Sequence, residues 1–282
     1  MSTPETNPLF QAAEPGLAAP AIPPEPFAEY PEDLRAPWRW SDLLLFMLFG
    51  LCSYVVLSVI LVAGFLINGV KLGQLQQPGP LTSLFVVCNT IMISAAVMAY
   101  LFLTTRIRFH SPFWRTLGWR PFGERIPRFV AYASCIVGGS IFAEVIALAS
   151  AAVGKKGKLP IENFFQDRGS TFLLMAMGIL VAPLVEETIF RGYLYPLLAR
   201  TLGIGAGVIV TGTLFGLFHA MQLWGGWGQI ALLVLVGIVF TYVRAATRTV
   251  LASYLLHVSY NTFIFAALFF TSSGFRHLPG AH

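Results

Sequence analysis

The octapeptide VEETIFRG, residues 185–192, sets two adjacent carboxylates and a guanidinium directly behind the apolar run TFLLMAMGILVAPL. On a helix Glu187 and Arg191 are four residues apart, share a face and lie within ion-pair reach, whereas Glu186 is turned about 100° away. One carboxylate is thereby neutralised and the other left available. A free carboxylate away from bulk water is a group for proton transfer, as general base or general acid. The competing reading is a charge network that merely ties off a helix end. Ionisable residues inside a membrane are costly and mostly functional, which weighs against it.

Two further stretches carry polar groups at the same spacing. GTLFGLFHAMQLW holds Phe215 and His219 four apart, and LLHVSYNTF holds His257 and Asn261 four apart. Taken singly, each has a bland explanation: an interfacial or hydrogen-bonded core histidine, or a His and Asn that satisfy each other or a backbone carbonyl. Depth argues for a shared site. If the chain reverses near Gly203, Glu186 and His219 both sit roughly 21–23 Å from that end at ~1.5 Å per residue, and His257 and Asn261 lie about 14 and 20 Å from the turn at 244–248. Three helices then bring carboxylates, imidazoles and an amide to one level. Such a set suits amide hydrolysis, with a carboxylate and a histidine to deprotonate water and an Asn amide and a histidine to donate to the oxyanion.

The elements that must position these groups are membrane helices. The chain has 282 residues, 56% hydrophobic and only 11% charged, against roughly 25% charged in soluble domains. Apolar runs fall at 43–67, 81–103, 129–153, 171–199, 204–222, 229–243 and 250–270, the sixth being short. They predict an all-α, polytopic bundle of about seven, at most eight, transmembrane helices around a polar cavity, with Pro183 loosening the helix before the glutamates. The 106–128 loop carries six arginines and one glutamate, which places it and the amino terminus in the cytoplasm and opens the site to that side. GKKGK at 154–158, on the opposite side in this scheme, pulls the other way. The net charge of +5 comes mostly from such loop arginines, a topogenic pattern rather than a nucleic-acid surface. Residues 1–38, rich in Pro, Ala and Glu, read as a disordered cytoplasmic tail. Membrane helices at 39–170, core helices at 171–270 and a short tail at 271–282 follow. Cys52, Cys88 and Cys135 all lie within apolar runs without metal or disulfide spacing. Glu144 reads as buried in the third run without an assigned partner.

E-E-x-x-x-R at 186–191, F-x-x-x-H at 215–219 and H-x-x-x-N at 257–261, in that order on successive membrane helices, resemble the CPBP family of intramembrane proteases. That family includes the type II CAAX prenyl endopeptidases and bacterial Abi-type proteins. The resemblance covers about residues 171–262. It implies an intramembrane endopeptidase that cuts near the carboxyl terminus of protein or peptide substrates, including prenylated ones, within membrane lipid. By the same resemblance Glu186 with His219 activates the water, His257 and Asn261 hold the oxyanion, and Glu187, Arg191 and Phe215 shape the site. Relatives are described as metalloproteases, and Glu186, His219 and His257 could supply a carboxylate and two imidazoles to zinc. The absence of H-E-x-x-H and the poor ligand quality of Asn favour a metal-independent water. The alternatives are a non-enzymatic immunity or scaffold protein that keeps the pocket, and an ion-coupled transporter, for which no internal repeat is found.

Overall fold

A computed structural model describes residues 27, 29–123, 127–154, 159–165 and 167–277. Among these residues seven apolar helices carry the fold: α1 (Trp40–Ile67), α2 (Pro80–Arg108), α3 (Arg128–Val153), α4 (Arg168–Leu202), α5 (Ile204–Phe218), α6 (Trp227–Thr247) and α7 (Val250–Thr271). All but α5 are long and apolar enough to cross a membrane. The chain is thus a polytopic helical bundle. Exposed side chains such as Leu44, Leu48, Val55 and Val59 on α1 face outward, where a hydrocarbon environment would take them and only helices can satisfy their own backbone groups.

The short element is α5, not the sixth helix as the apolar runs suggest. α5 has 15 residues, roughly 22 Å of rise against a hydrocarbon core about 30 Å thick. It starts after Gly203, whose φ of 85° makes the reversal, and stops where His219 turns back on Gly216 and Leu217. α6 instead has 21 residues and runs on to Arg248, in the left-handed region at φ 57°. Polar Arg244 and Thr247 sit on that continuation, so an apolar run underestimates it.

α3, α6 and α7 enclose a core of Ala143, Ile146, Val236, Phe240, Leu256 and Tyr260. α5 joins this group by close backbone approach. A Cβ on Gly212 would meet Ile238 N at 2.4 Å, and one on Gly216 would meet Val234 Cα at 2.7 Å. This is small-xxx-small packing, in which apposed backbones supply the contact.

Residues 29–38, expected as part of a disordered tail, instead form a strap across the end of the bundle that carries the arginine-rich loop; residues 1–26 and 28 lie outside the described set. Trp38 is fully buried, stacks on Tyr193 at 4.6 Å and donates from Nε1 to the Tyr193 carbonyl at 2.9 Å. Arg200 donates to the carbonyls of Leu34, Ala36 and Trp38. Asp33 pairs with the buried Arg244 at 3.0 Å. A few large anchors and charge pairs order a segment whose average composition argues for disorder.

The arginine-rich loop also packs. Gly118 O accepts from Val250 N at the start of α7, and Trp119 Nε1 donates to Thr188 Oγ1 at 3.2 Å. Glu144 departs from its expected burial: it sits on the outer face of α3, exposed between Ile141 and Leu148.

Candidate active site

α4 is interrupted twice. α-helical turns Arg168–Ala176, Ala182–Glu187 and Tyr195–Leu202 alternate with wider π turns Met177–Val181 and Thr188–Leu194. Pro183 and Pro196 each open the α segment after a π turn. A proline ring cannot take a normal internal helix position, and a widened turn gives it room. The two glutamates therefore lie between two wide turns, and their directions are set by local register as well as by helical spacing.

Glu187 and Arg191 are both completely buried. Arg191 Nη1 donates to Glu187 Oε1 at 2.9 Å, Nη2 to Gly237 O at 2.9 Å and Nε to Thr241 Oγ1 at 3.2 Å. The guanidinium also lies 4.4 Å from the Phe215 ring centroid, a cation–π contact strengthened by desolvation. Phe215 thus covers the arginine on one side. Glu187 Oε1 accepts a second bond, from His257 Nδ1 at 3.0 Å.

Each histidine is held the same way. His219 Nδ1 lies 2.9 Å from the Phe215 carbonyl, an acceptor only, so Nδ1 carries the proton. His257 Nδ1 donates to a carboxylate by the same logic. Both Nε2 atoms then point at Glu186: His219 Nε2 at 3.6 Å from Oε1 and His257 Nε2 at 3.8 Å from Oε2. These separations exceed a direct N–H···O bond. Glu186 is the centre of the arrangement, with a histidine facing each oxygen and side-chain exposure of 18%, against 0% for Glu187.

Residues 168–263 match the family described as type II CAAX prenyl endopeptidase Rce1-like. The Rce1-like segment covers about a third of the chain and includes every residue just described. It agrees with the resemblance carried by the three motifs, and it supports a CAAX-type intramembrane endopeptidase in general. No curated protein and no solved structure matches the chain.

Within the Rce1-like segment, Asn261 stands apart from the other site residues. Its Nδ2 donates to Gly178 O at 2.7 Å, in the first π turn of α4. It is one turn beyond His257 and, among the described residues, is not hydrogen-bonded to Glu186 or to either histidine. Sequence reasoning did not single out Gly212, Gly216, Gly237 or Thr241. The first two were legible as the G-x-x-x-G in GTLFG; nothing in the spacing marks Gly237 and Thr241 as partners of Arg191.

The donor set expected for zinc is Glu186, His219 and His257. Both imidazoles have the outer hydrogen bond that metal-bound histidines use. Three donors about 2.0 Å from one ion, however, lie about 3.3 Å from each other, and here the two Nε2 atoms face different oxygens of Glu186 at 3.6 and 3.8 Å. Among the described residues no three His, Cys, Asp or Glu side chains are disposed to hold a metal ion.

Glu186 and His219 open onto a cavity of about 580 Å³. One wall is the Rce1-like segment, with Val185, Ile189 and Phe190. The other comes from α1 and α2, with Phe46, Leu51, Asn89 and Ile93. The lining is mostly apolar, as ligand-binding cavities usually are.

Proposed function

We propose that this chain is an intramembrane endopeptidase that hydrolyses a peptide bond near the carboxyl terminus of protein substrates, prenylated CAAX-type chains among them. One observation carries the reading: Glu186, flanked by two oriented imidazoles, faces with His219 into a large apolar cavity. Glu186 takes a proton from a water held between its carboxylate and His219 Nε2. The hydroxide adds to the scissile carbonyl carbon, and the carbonyl oxygen becomes the oxyanion. The C–N bond then breaks as the proton passes from Glu186 to the leaving nitrogen, giving a carboxylate and an amine. No step uses a metal.

His257 and Asn261 are assigned to the oxyanion, His257 donating from Nε2 with both ring nitrogens carrying a proton. Asn261 has to release the Gly178 carbonyl, or use its second N–H, to make that contact. Glu187 and Arg191 act through His257, fixing its ring so that Nε2 faces the reacting atoms. The apolar cavity suits an isoprenoid chain or apolar side chains beside the cleaved bond. The arginine-rich loop supports a cytoplasmic amino terminus and a site entered from that side.

The test is cleavage by the purified full chain of matched peptides with and without a prenyl group, compared with Glu186→Ala and His219→Ala. Loss of a catalytic base or its partner lowers turnover by ~10²–10⁴-fold. Turnover untouched by both substitutions refutes the mechanism, and cleavage of the unprenylated peptide alone refutes the place of prenylated chains among the substrates.

A further inference from the structure

The cavity wall opposite Glu186 carries a polar device outside the matched segment. Asn89 on α2 is 9% exposed and lines the cavity. Ser58 on α1 donates to Asn89 Oδ1 at 3.1 Å and is, among the described residues, its hydrogen-bond partner. With Oδ1 held by Ser58, the amide Nδ2 has two N–H groups and, among the described residues, no protein acceptor. Helical rise puts Asn89 and Glu186 at a similar level: roughly 28 Å from the end of α2 at Arg108, and roughly 24 Å from the end of α4 at Leu202.

A peptide in this cavity brings backbone carbonyls into mostly apolar surroundings, where each needs a donor. Thr90, the adjacent hydroxyl, is spent on the Val86 carbonyl of its own helix. Resting on the endopeptidase reading above, we infer that Asn89 is a substrate-binding residue whose amide N–H holds a backbone carbonyl of the substrate beside the scissile bond. Ser58 is a positioning residue that turns the amide toward the cavity. The peptide lies between the two walls, its carbonyl on Asn89 and its scissile bond at Glu186.

The experiment measures binding of a fluorescent prenylated peptide to the full chain in lipid nanodiscs, alongside KM, kcat and melting temperature. Asn89→Leu removes the amide at similar size. Asn89→Asp keeps the acceptor for Ser58 but loses the N–H donors. Both weaken binding and raise KM by about three- to ten-fold, the loss of one hydrogen bond, while kcat stays within about two-fold. Ser58→Ala gives a smaller rise in KM and none in the Asn89→Leu background. If the Asn89 variants lower the melting temperature with affinity and KM unchanged, Asn89 only fastens α1 to α2 and the inference is overturned. If the wild type cleaves no peptide yet binding still falls in Asn89→Leu and Asn89→Asp, the endopeptidase reading fails and the Asn89 assignment stands.

Discussion

Glu186 and Glu187 are neighbours in sequence, and their substitution by glutamine should separate stability from chemistry. Glu187 is fully buried and, among the described residues, is the carboxylate paired with the equally buried Arg191 guanidinium. Glu187→Gln leaves that cation with neutral partners, Gly237 O, Thr241 Oγ1 and the new amide. Breaking one side of a buried pair costs about 3–5 kcal/mol. For a chain of this size that is a fall in melting temperature of roughly 6–20 °C. Glu186 has much less to lose. It faces its histidines at 3.6 and 3.8 Å, outside hydrogen-bond range, and is 18% exposed, so Glu186→Gln changes stability by about 1 kcal/mol or less.

The assay is paired: thermal melting in detergent by tryptophan fluorescence, and peptide cleavage at a temperature where both variants are folded. Glu186→Gln melts close to wild type and loses cleavage. Glu187→Gln melts low and keeps a remnant of cleavage, because His257 retains an acceptor but not a charged one. In the double variant Glu187→Gln/Arg191→Met both charges are gone, and part of the lost stability returns. A Glu186→Gln protein that melts as low as Glu187→Gln, or a Glu187→Gln protein that melts like wild type, would refute this division of roles.

Three further outcomes follow from the packing. Gly212→Leu drives a side chain into the α6 backbone at Ile238, costs about 1–3 kcal/mol or more and displaces α5 with His219; activity falls about 100-fold, while a variant with normal turnover would show that the α5–α6 contact does not set the histidine. The Arg115 guanidinium, hydrogen-bonded to Glu32, with Arg120 beside it, holds the Glu32 carboxyl below the usual range. Its small contribution to the strap is complete above about pH 4.5 and lost only as pH falls through the lowered value, so limited proteolysis of the strap rises at lower pH in wild type and shows a flatter profile in Glu32→Gln. A strong chelator leaves turnover unchanged, and loss of activity restored by zinc would overturn the metal-independent reading.

The carboxylate–arginine pair and the levels of His219 and His257 were legible because helical spacing and rise survive even a helix broken by two π turns. The direction of each ring was not. It depends on Nδ1 bonds to the Phe215 carbonyl and to Glu187, which no spacing rule specifies. Glu144 was misread for a related reason: in a membrane helix the core face and the lipid face are both apolar, so periodicity does not tell them apart. The strap failed as a sequence reading because composition averages over a segment, whereas Trp38, Leu34 and Asp33 act singly.

The cavity draws the line between what the chemistry fixes and what the substrate must fix. Every group proposed to touch the reacting bond lies within residues 168–263, the segment that matches the Rce1-like family. The opposite wall, from Phe46 to Tyr54 on α1 and from Asn89 to Val97 on α2, lies outside it. An apolar cavity with one oriented amide can select for an apolar chain and for the depth of a backbone carbonyl; α1 and α2 supply one wall of the first and, on the inference above, the amide for the second. Changes of substrate therefore map to this wall. Exchanging residues 46–54 and 89–97 for the equivalent helices of a protein that matches the same family should change which peptides are bound while leaving the Glu186-dependent chemistry in place.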